Sequence, residues 1–340
     1  MTKDLLRKIV IGGAITLATS ITTVEQIPPQ NLNPPSISNL EFIPPAPIIR
    51  PMQEKMVSIV RRDPFVPPKN LQYILRQEAK IVKSLDELTR RLEKDGFDKN
   101  QVQAAYDDKR FIVHREIIRL FDGSPETKGA KGKITYEIYR KNLRLNEKID
   151  QAPEFMTKYK EDLALTEKKF GVDKRYIVAI LGVESDFGNN KGKFYAFNAL
   201  ASMYITRKKN FAYRELKEYL VMCKNNNKGL FDYKSSYAGA LGNAQFIPSS
   251  FNRLFIDGNG DLVADPLCME DCIPSVANYL KKSGWNSKAN GRIPYEKSRN
   301  WEAIKDYNDS NFYVKAVIEL ATKAKWSSDD LIVASGAGFE

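Results

Sequence analysis

Histidine is nearly absent: His114 is the only one in 340 residues. That argues against a zinc site built on histidines. A Ser-His-Asp or Cys-His nucleophile system would have to use His114 as its base. His114 falls in a basic stretch, 108–120, that reads as surface helix. Cysteine is scarce too: Cys223, Cys268 and Cys272. No C-x-x-C pair occurs, so neither a zinc ribbon nor a thioredoxin-type site is indicated. One disulfide plus one free thiol, or no disulfide, both fit. Long alternating apolar runs of the strand type are few, and no internal repeat is visible. Any acid–base chemistry therefore falls to carboxylates.

What is present begins with charge. The net charge of +11 suits a polyanionic partner: nucleic acid, an anionic membrane or a carboxylate-bearing polymer. The start of the chain reads as an export signal. Lys3, Arg7 and Lys8 precede an uncharged stretch, 9–23, and Ala18-Thr19-Ser20 resembles a cleavage site. An uncleaved anchor is the alternative, and either places the bulk of the chain outside the cytoplasm. Residues 27–69 then hold Pro28-Pro29, Pro34-Pro35, Pro44-Pro45 and Pro67-Pro68, the composition of an extended linker.

From residue 70 the apolar spacing turns helical. Leu71, Ile74, Leu75, Ile81, Leu85 and Leu88 recur mostly at three- and four-residue steps. Gly96 ends that helix. Further helices are expected at 99–106, 110–121, 134–149, 152–170, 194–205, 210–225, 271–283 and 310–325. Gly171 marks a stop, and Asp173 an N-cap for the next helix. The expected fold is mainly α, with a small strand element allowed.

The helix beginning at Asp173 contains YIVAILGVE (176–184), apolar nearly all round. Ile177, Ile180 and Leu181 precede Glu184 by seven, four and three residues, which places them on its face. Gly188 follows closely, so Glu184 lies in the last turn. Burial and the negative end of the helix dipole both raise a carboxyl pKa. A carboxyl kept protonated near neutral pH is what a glycosidic leaving group requires. A second carboxylate is usual in such chemistry, but Asp186, two residues on, points elsewhere. Pairing of Glu184 with a cation is the plainer alternative.

Two further stretches carry candidate chemistry. Residues 235–251, SSYAGALGNAQFIPSSF, allow close backbone approach, with Ser236 and Gln245 as hydrogen-bonding groups. Tight helix packing is an equal reading. Residues 257–265, DGNGDLVAD, put oxygen donors at alternate positions, as at the start of a calcium loop. Asp257, Asn259 and Asp261 would give side-chain oxygens, Val263 its carbonyl, and Asp271 would close a longer loop. Leu262 sits where such loops carry glycine, and Cys268 stands at the twelfth position. A plain Asn-Gly turn competes.

Together YIVAILGVESDFG (176–188), SSYAGALGNAQFIPSSF (235–251), the acidic loop, SVANYLKKSGW (275–285) and DYNDS (306–310) resemble the membrane-bound lytic transglycosylase B family. The resemblance spans about 85–325. It implies a lysozyme-like α domain with additional N-terminal helices, a deep glycan groove and no organic cofactor. It implies that Glu184 is the sole acid and base, cleaving between N-acetylmuramic acid and N-acetylglucosamine to leave a 1,6-anhydro sugar. An intramolecular nucleophile needs only positioning. The resemblance also makes Ser236, Gln245, Tyr139, Tyr279, Tyr307 and Asn308 groove residues, and calcium a structural ion of some members. No lipid-attachment cysteine occurs near the start.

The expected organisation is a signal or anchor over 1–26, the linker over 27–69, a catalytic domain with helical subdomains over 70–327 and a tail over 328–340. Glycan strands of peptidoglycan are the expected partner, with other cell-wall enzymes allowed and nucleic acid disfavoured. Membrane contact would come only through an uncleaved N-terminus. The location is periplasmic or cell-envelope. A water-using muramidase and a non-catalytic wall-binding protein are the rival readings.

Overall fold

The computed structural model describes residues 68–122 and 135–327, with side chains from residue 76 onward. The signal or anchor, nearly all of the linker and the tail lie outside the described residues. Among the described residues the architecture is helical, with one two-stranded antiparallel sheet. Residues 68–83, the beginning of the first helix, belong to one compact unit; the described residues from Ser84 onward form another.

Helix α1 runs Pro68–Lys94, so the linker's last two residues are already helical. Proline is well placed there, because its missing N–H would be unpaired in a first turn anyway. Helices α2 (Lys99–Asp107), α3 (Arg115–Asp122), α4 (Tyr136–Asn142), α5 (Leu145–Lys158), α6 (Lys160–Phe170) and α7 (Lys174–Ser185) follow. Strand β1 (Phe194–Tyr195) leads into α8 (Ala196–Tyr204) and α9 (Lys209–Asn225). Then come β2 (Lys234–Ser235), α10 (Pro248–Leu254), α11 (Met269–Lys282), α12 (Arg299–Tyr307) and α13 (Asn311–Lys323). The strand register is Phe194↔Ser235 and Tyr195↔Lys234.

Helix α7 is the hub. Every one of its residues except Arg175 is buried, and it packs against α13, α5, α11 and α6. Its start follows the expectation: Gly171 is left-handed at φ +70°, and the Asp173 carboxylate accepts the Arg175 N–H at 3.0 Å. Its end is sharper than a simple stop. Asp186, Phe187 and Gly188 all take positive φ. The Ser185 hydroxyl donates to the Leu181 carbonyl and accepts the Gly188 N–H at 2.9 Å. Gly182 leaves room for this reversal: a Cβ there would lie 2.7 Å from the Phe187 ring.

Several boundaries differ from the spacing-based reading. The helix expected at 110–121 begins only at Arg115, because the His114 N–H is taken by the Ser202 hydroxyl at 2.8 Å. His114 is half-buried, with its ring edge-on to Phe194 at 4.7 Å, not a surface residue. The break expected at 150–151 falls instead at Arg144, left-handed at φ 54°, and the single helix expected at 152–170 is divided at Tyr159. Pro153 is carried inside α5. The short helices α10 and α12 were too brief to show a period.

Candidate active site

Glu184 stands in the last turn of α7 with only 7% of its surface exposed. Its Oε1 is buried without a hydrogen-bond partner. An unpartnered carboxylate oxygen in a dry setting disfavours charge. Burial raises the Glu184 pKa from 4.5 to about 7, and the nearby Tyr313 hydroxyl works weakly against it. That hydroxyl has no hydrogen-bond partner of ordinary geometry either. Near pH 7 the carboxyl can therefore both give and take a proton.

Three tyrosines from three helices face Glu184: Tyr139 of α4, Tyr307 at the end of α12 and Tyr313 of α13. Burial first, and the Glu184 charge second, push all three phenols up. The Tyr307 and Tyr313 rings lie nearly parallel, 6.5 Å apart. Tyr307 donates to the Ala244 carbonyl at 2.6 Å, which fastens α12 to the turn-rich stretch. Tyr279 of α11 donates to the Asp306 carbonyl at 2.8 Å and packs against Tyr307 at 4.6 Å. Phe246 touches both rings edge-on.

Phe246, Tyr279 and Tyr307 form one wall of a cleft of about 260 Å³. Gln245, Phe246, Tyr279 and Tyr307 line it, with Ser250 and Arg253. Glu184 does not itself line the cleft; Tyr307 bridges the two. Gln245 is buried and left-handed at φ 50°, and its amide donates to the Gly242 carbonyl at 2.8 Å. Gly242 brings the backbone close to the next loop: a Cβ there would lie 2.0 Å from the Pro266 carbonyl oxygen. Ser236 serves its own turn, its hydroxyl accepting the N–H groups of Ala238 and Ala240. Asn308 is buried, and its Oδ1 has no partner. Tyr139, Ser236 and Asn308 thus lie outside the cleft lining, while Gln245, Tyr279 and Tyr307 lie in it.

Asp186 does not face Glu184 as a second carboxylate. It forms an ion pair with the buried Lys148 of α5. Tyr313 carries no sequence signal beyond being a large residue on the core face of a helix.

The acidic loop is folded by its own side chains. Asp257 accepts the N–H groups of Gly260 and Leu262, Asn259 that of Asp261, and Asp261 that of Val263. Leu262 takes φ 70°, so it adopts the turn for which such loops commonly use glycine. Asp271, wholly buried, accepts N–H groups of Gly258, Asn259 and Asp265. Asp257, Asn259, Asp261 and Asp271 offer hard oxygens of the kind calcium takes, but here each accepts the loop's own N–H groups. No group of three His, Cys, Asp or Glu side chains is drawn close enough to hold a metal among the described residues. The three cysteines are free.

An α-helical domain with one buried carboxyl beside an aromatic cleft is of the lysozyme-like class. The chain belongs to the transglycosylase SLT domain family, whose pattern matches residues 80–296. It is 31% identical over 216 residues to membrane-bound lytic murein transglycosylase B of Escherichia coli (strain K12), a match over 59% of this chain and 58% of that one. The chain thus spans little more than half of that relative. Pseudomonas aeruginosa SltB3 in complex with NAG-anhNAM-pentapeptide shares the fold at a TM-score of 0.62 and 20% identity, over 73% of this chain and 82% of the other. The Escherichia coli lytic transglycosylase SLT35 in complex with calcium gives 0.59 and 24% identity, over 72% and 92%.

Proposed function

We propose that the protein is a peptidoglycan lytic transglycosylase that works with a single carboxyl, Glu184. The carrying observation is the burial of Glu184, which leaves its pKa at about 7 with no second carboxylate facing it among the described residues. In the first half of the reaction Glu184 donates its proton to the oxygen between N-acetylmuramic acid and N-acetylglucosamine. The departing sugar leaves with that proton. In the second half the Glu184 carboxylate takes the proton of the muramoyl 6-hydroxyl as that oxygen bonds to its own anomeric carbon. A 1,6-anhydro end results, Glu184 is protonated again and no water is consumed.

Gln245, Tyr279 and Tyr307 hold the glycan along the cleft, and the tyrosine faces suit the apolar faces of sugar rings. Tyr139, Ser236 and Asn308 support the groove from outside its lining: Tyr139 shields the acid, and Ser236 shapes the turn that carries Gln245. The organisation proposed is the one read from the sequence, with the catalytic domain ending near 327 and the leading segments delivering it to the cell envelope. Among the described residues no helix is long and apolar enough to cross a membrane.

Calcium at the acidic loop is the second part of the proposal. Asp257, Asn259, Asp261 and Asp271 would supply side-chain oxygens and Val263 its carbonyl. The bound ion would add rigidity to the turn before α11, which carries Tyr279.

The test is digestion of purified peptidoglycan by the full chain and by Glu184→Gln, followed by mass spectrometry of the soluble products. Anhydro-muropeptides from the wild type alone are expected. Reducing-end products would instead indicate a hydrolase, and equal release by Glu184→Gln would remove Glu184 from the chemistry.

A further inference from the structure

Helix α4 is held in an unusual way. It carries Tyr139, which faces Glu184, yet none of its residues is buried. Buried Leu143 and Leu145 fix only the chain beyond its C-terminal end. Along its length Phe312, Lys315 and Glu319 join it to α13. Phe312 meets the rings of Tyr136 and Tyr139 at 5.9 and 5.8 Å. Glu319 meets both polar groups of the same helix face. The Tyr136 hydroxyl donates to Glu319 Oε2 at 2.7 Å, and the Arg140 guanidinium donates to Oε1 at 2.8 Å. Tyr136 and Arg140 are four residues apart, so they share one side of α4.

Glu319 itself is well placed for such a task, with its side chain only 12% exposed. Burial works against its charge, but the Tyr136 hydroxyl, Lys323 and Arg140 outweigh it and hold the carboxyl below its usual range. A partly dehydrated, charge-assisted pair of bonds is stronger than a surface ion pair. The same helix α13 carries Tyr313 against Glu184, so one rigid element positions two of the three tyrosines.

We propose that Glu319 is a positioning residue: through Tyr136 and Arg140 it latches α4 onto α13, holding Tyr139 over Glu184 and keeping water from the acid. This rests on the reading of Glu184 as the proton donor. The titratable groups that face Glu184 are Tyr139 from α4, Tyr307 from α12 and Tyr313 from α13. Around Glu319 they are Tyr136 and Arg140 from α4, with Glu137 beside Arg140, and Lys315 and Lys323 from α13, Lys315 lying 6.0 Å from the Tyr136 ring. Loss of the latch exposes Glu184 to water, and its proton affinity falls towards that of an ordinary carboxyl.

The experiment reads Glu184 without any substrate. The melting temperature of the full chain is compared with that of its Glu184→Gln counterpart across pH 4 to 9, and the midpoint of the pH-dependent difference reports the Glu184 pKa. The pair is repeated on backgrounds carrying Glu319→Ala, Glu319→Gln and Tyr136→Phe. Glu319→Ala is expected to move the midpoint down by about one pH unit or more, with Glu319→Gln restoring much of it. The upper limb of the pH–rate profile should move the same way. A midpoint unchanged in Glu319→Ala overturns the proposal. Should that variant fail to fold, Tyr136→Phe decides in its place: a lowered midpoint supports the latch and an unchanged one overturns it. Absence of anhydro products from the wild type would sink the functional reading but leave the midpoint measurement valid.

Discussion

Glu184 is held in a setting that suits chemistry better than stability. Below pH 4.5 the folded and unfolded chains both hold its proton. Between pH 4.5 and about 7 the folded state holds it more firmly, so this group's contribution to stability falls as pH rises through that window. Glu184→Gln removes the charge that burial opposes. It should lower turnover by about 10³-fold or more, while raising stability at pH 8 by up to roughly 3 kcal/mol and hardly at all at pH 4. Chemical denaturation at the two pH values checks the second part; equal effects at both would contradict a buried, raised carboxyl. Tyr313 pulls the other way, since its hydroxyl favours the charged form. Tyr313→Phe should therefore shift the upper limb of the pH–rate profile to higher pH, and a downward shift would contradict this placement. The apolar spacing before Glu184 showed its burial in advance. Of the tyrosines around it, the family resemblance marked Tyr139 and Tyr307 but not Tyr313, because the three come from α4, α12 and α13 and meet only in the folded chain.

At the scale of elements, α7 could be read from sequence almost to its ends. An apolar run between a glycine stop and an aspartate cap has few other solutions. The stretch after it could not, since Asp186 and Phe187 are non-glycine residues at positive φ. The turn-rich segment was legible only as permissive; that Gly242 lies under the Pro266 carbonyl is a tertiary fact. Gly242→Ala combines a forbidden contact with φ 63° and should cost about 2 kcal/mol or more, with activity lost through displaced Gln245. Urea unfolding measures it, and a neutral effect would mean the loop yields. For the acidic loop, calcium should raise the melting temperature of the wild type more than that of Asp257→Ala. Asp257 also holds two backbone N–H groups, so a smaller loss should remain in chelator. Equal losses with and without calcium would reduce the loop to a turn.

For the molecule as a whole, 53 Lys and Arg stand against 42 Asp and Glu. Under the proposed function, an excess of cations would draw the protein to a wall polymer that bears peptide carboxylates, and salt would screen that attraction. Retention on insoluble peptidoglycan should fall several-fold between about 50 and 300 mM salt, as a sedimentation assay would show; salt-independent retention would point to the cleft alone. The ordered motifs and helical spacing foretold the helical fold. The latch of α4 by Glu319 lay beyond such reading, since it joins residues 179 apart. The central claim is that a sugar hydroxyl, not water, attacks the anomeric carbon. Digestion of peptidoglycan in heavy-oxygen water, with mass spectrometry of the muropeptides, tests it most directly. The account predicts products lighter by one water, with no heavy oxygen at the new muramoyl ends and none formed by Glu184→Gln. Heavy oxygen at reducing muramoyl ends would contradict it and require a water-activating group opposite Glu184.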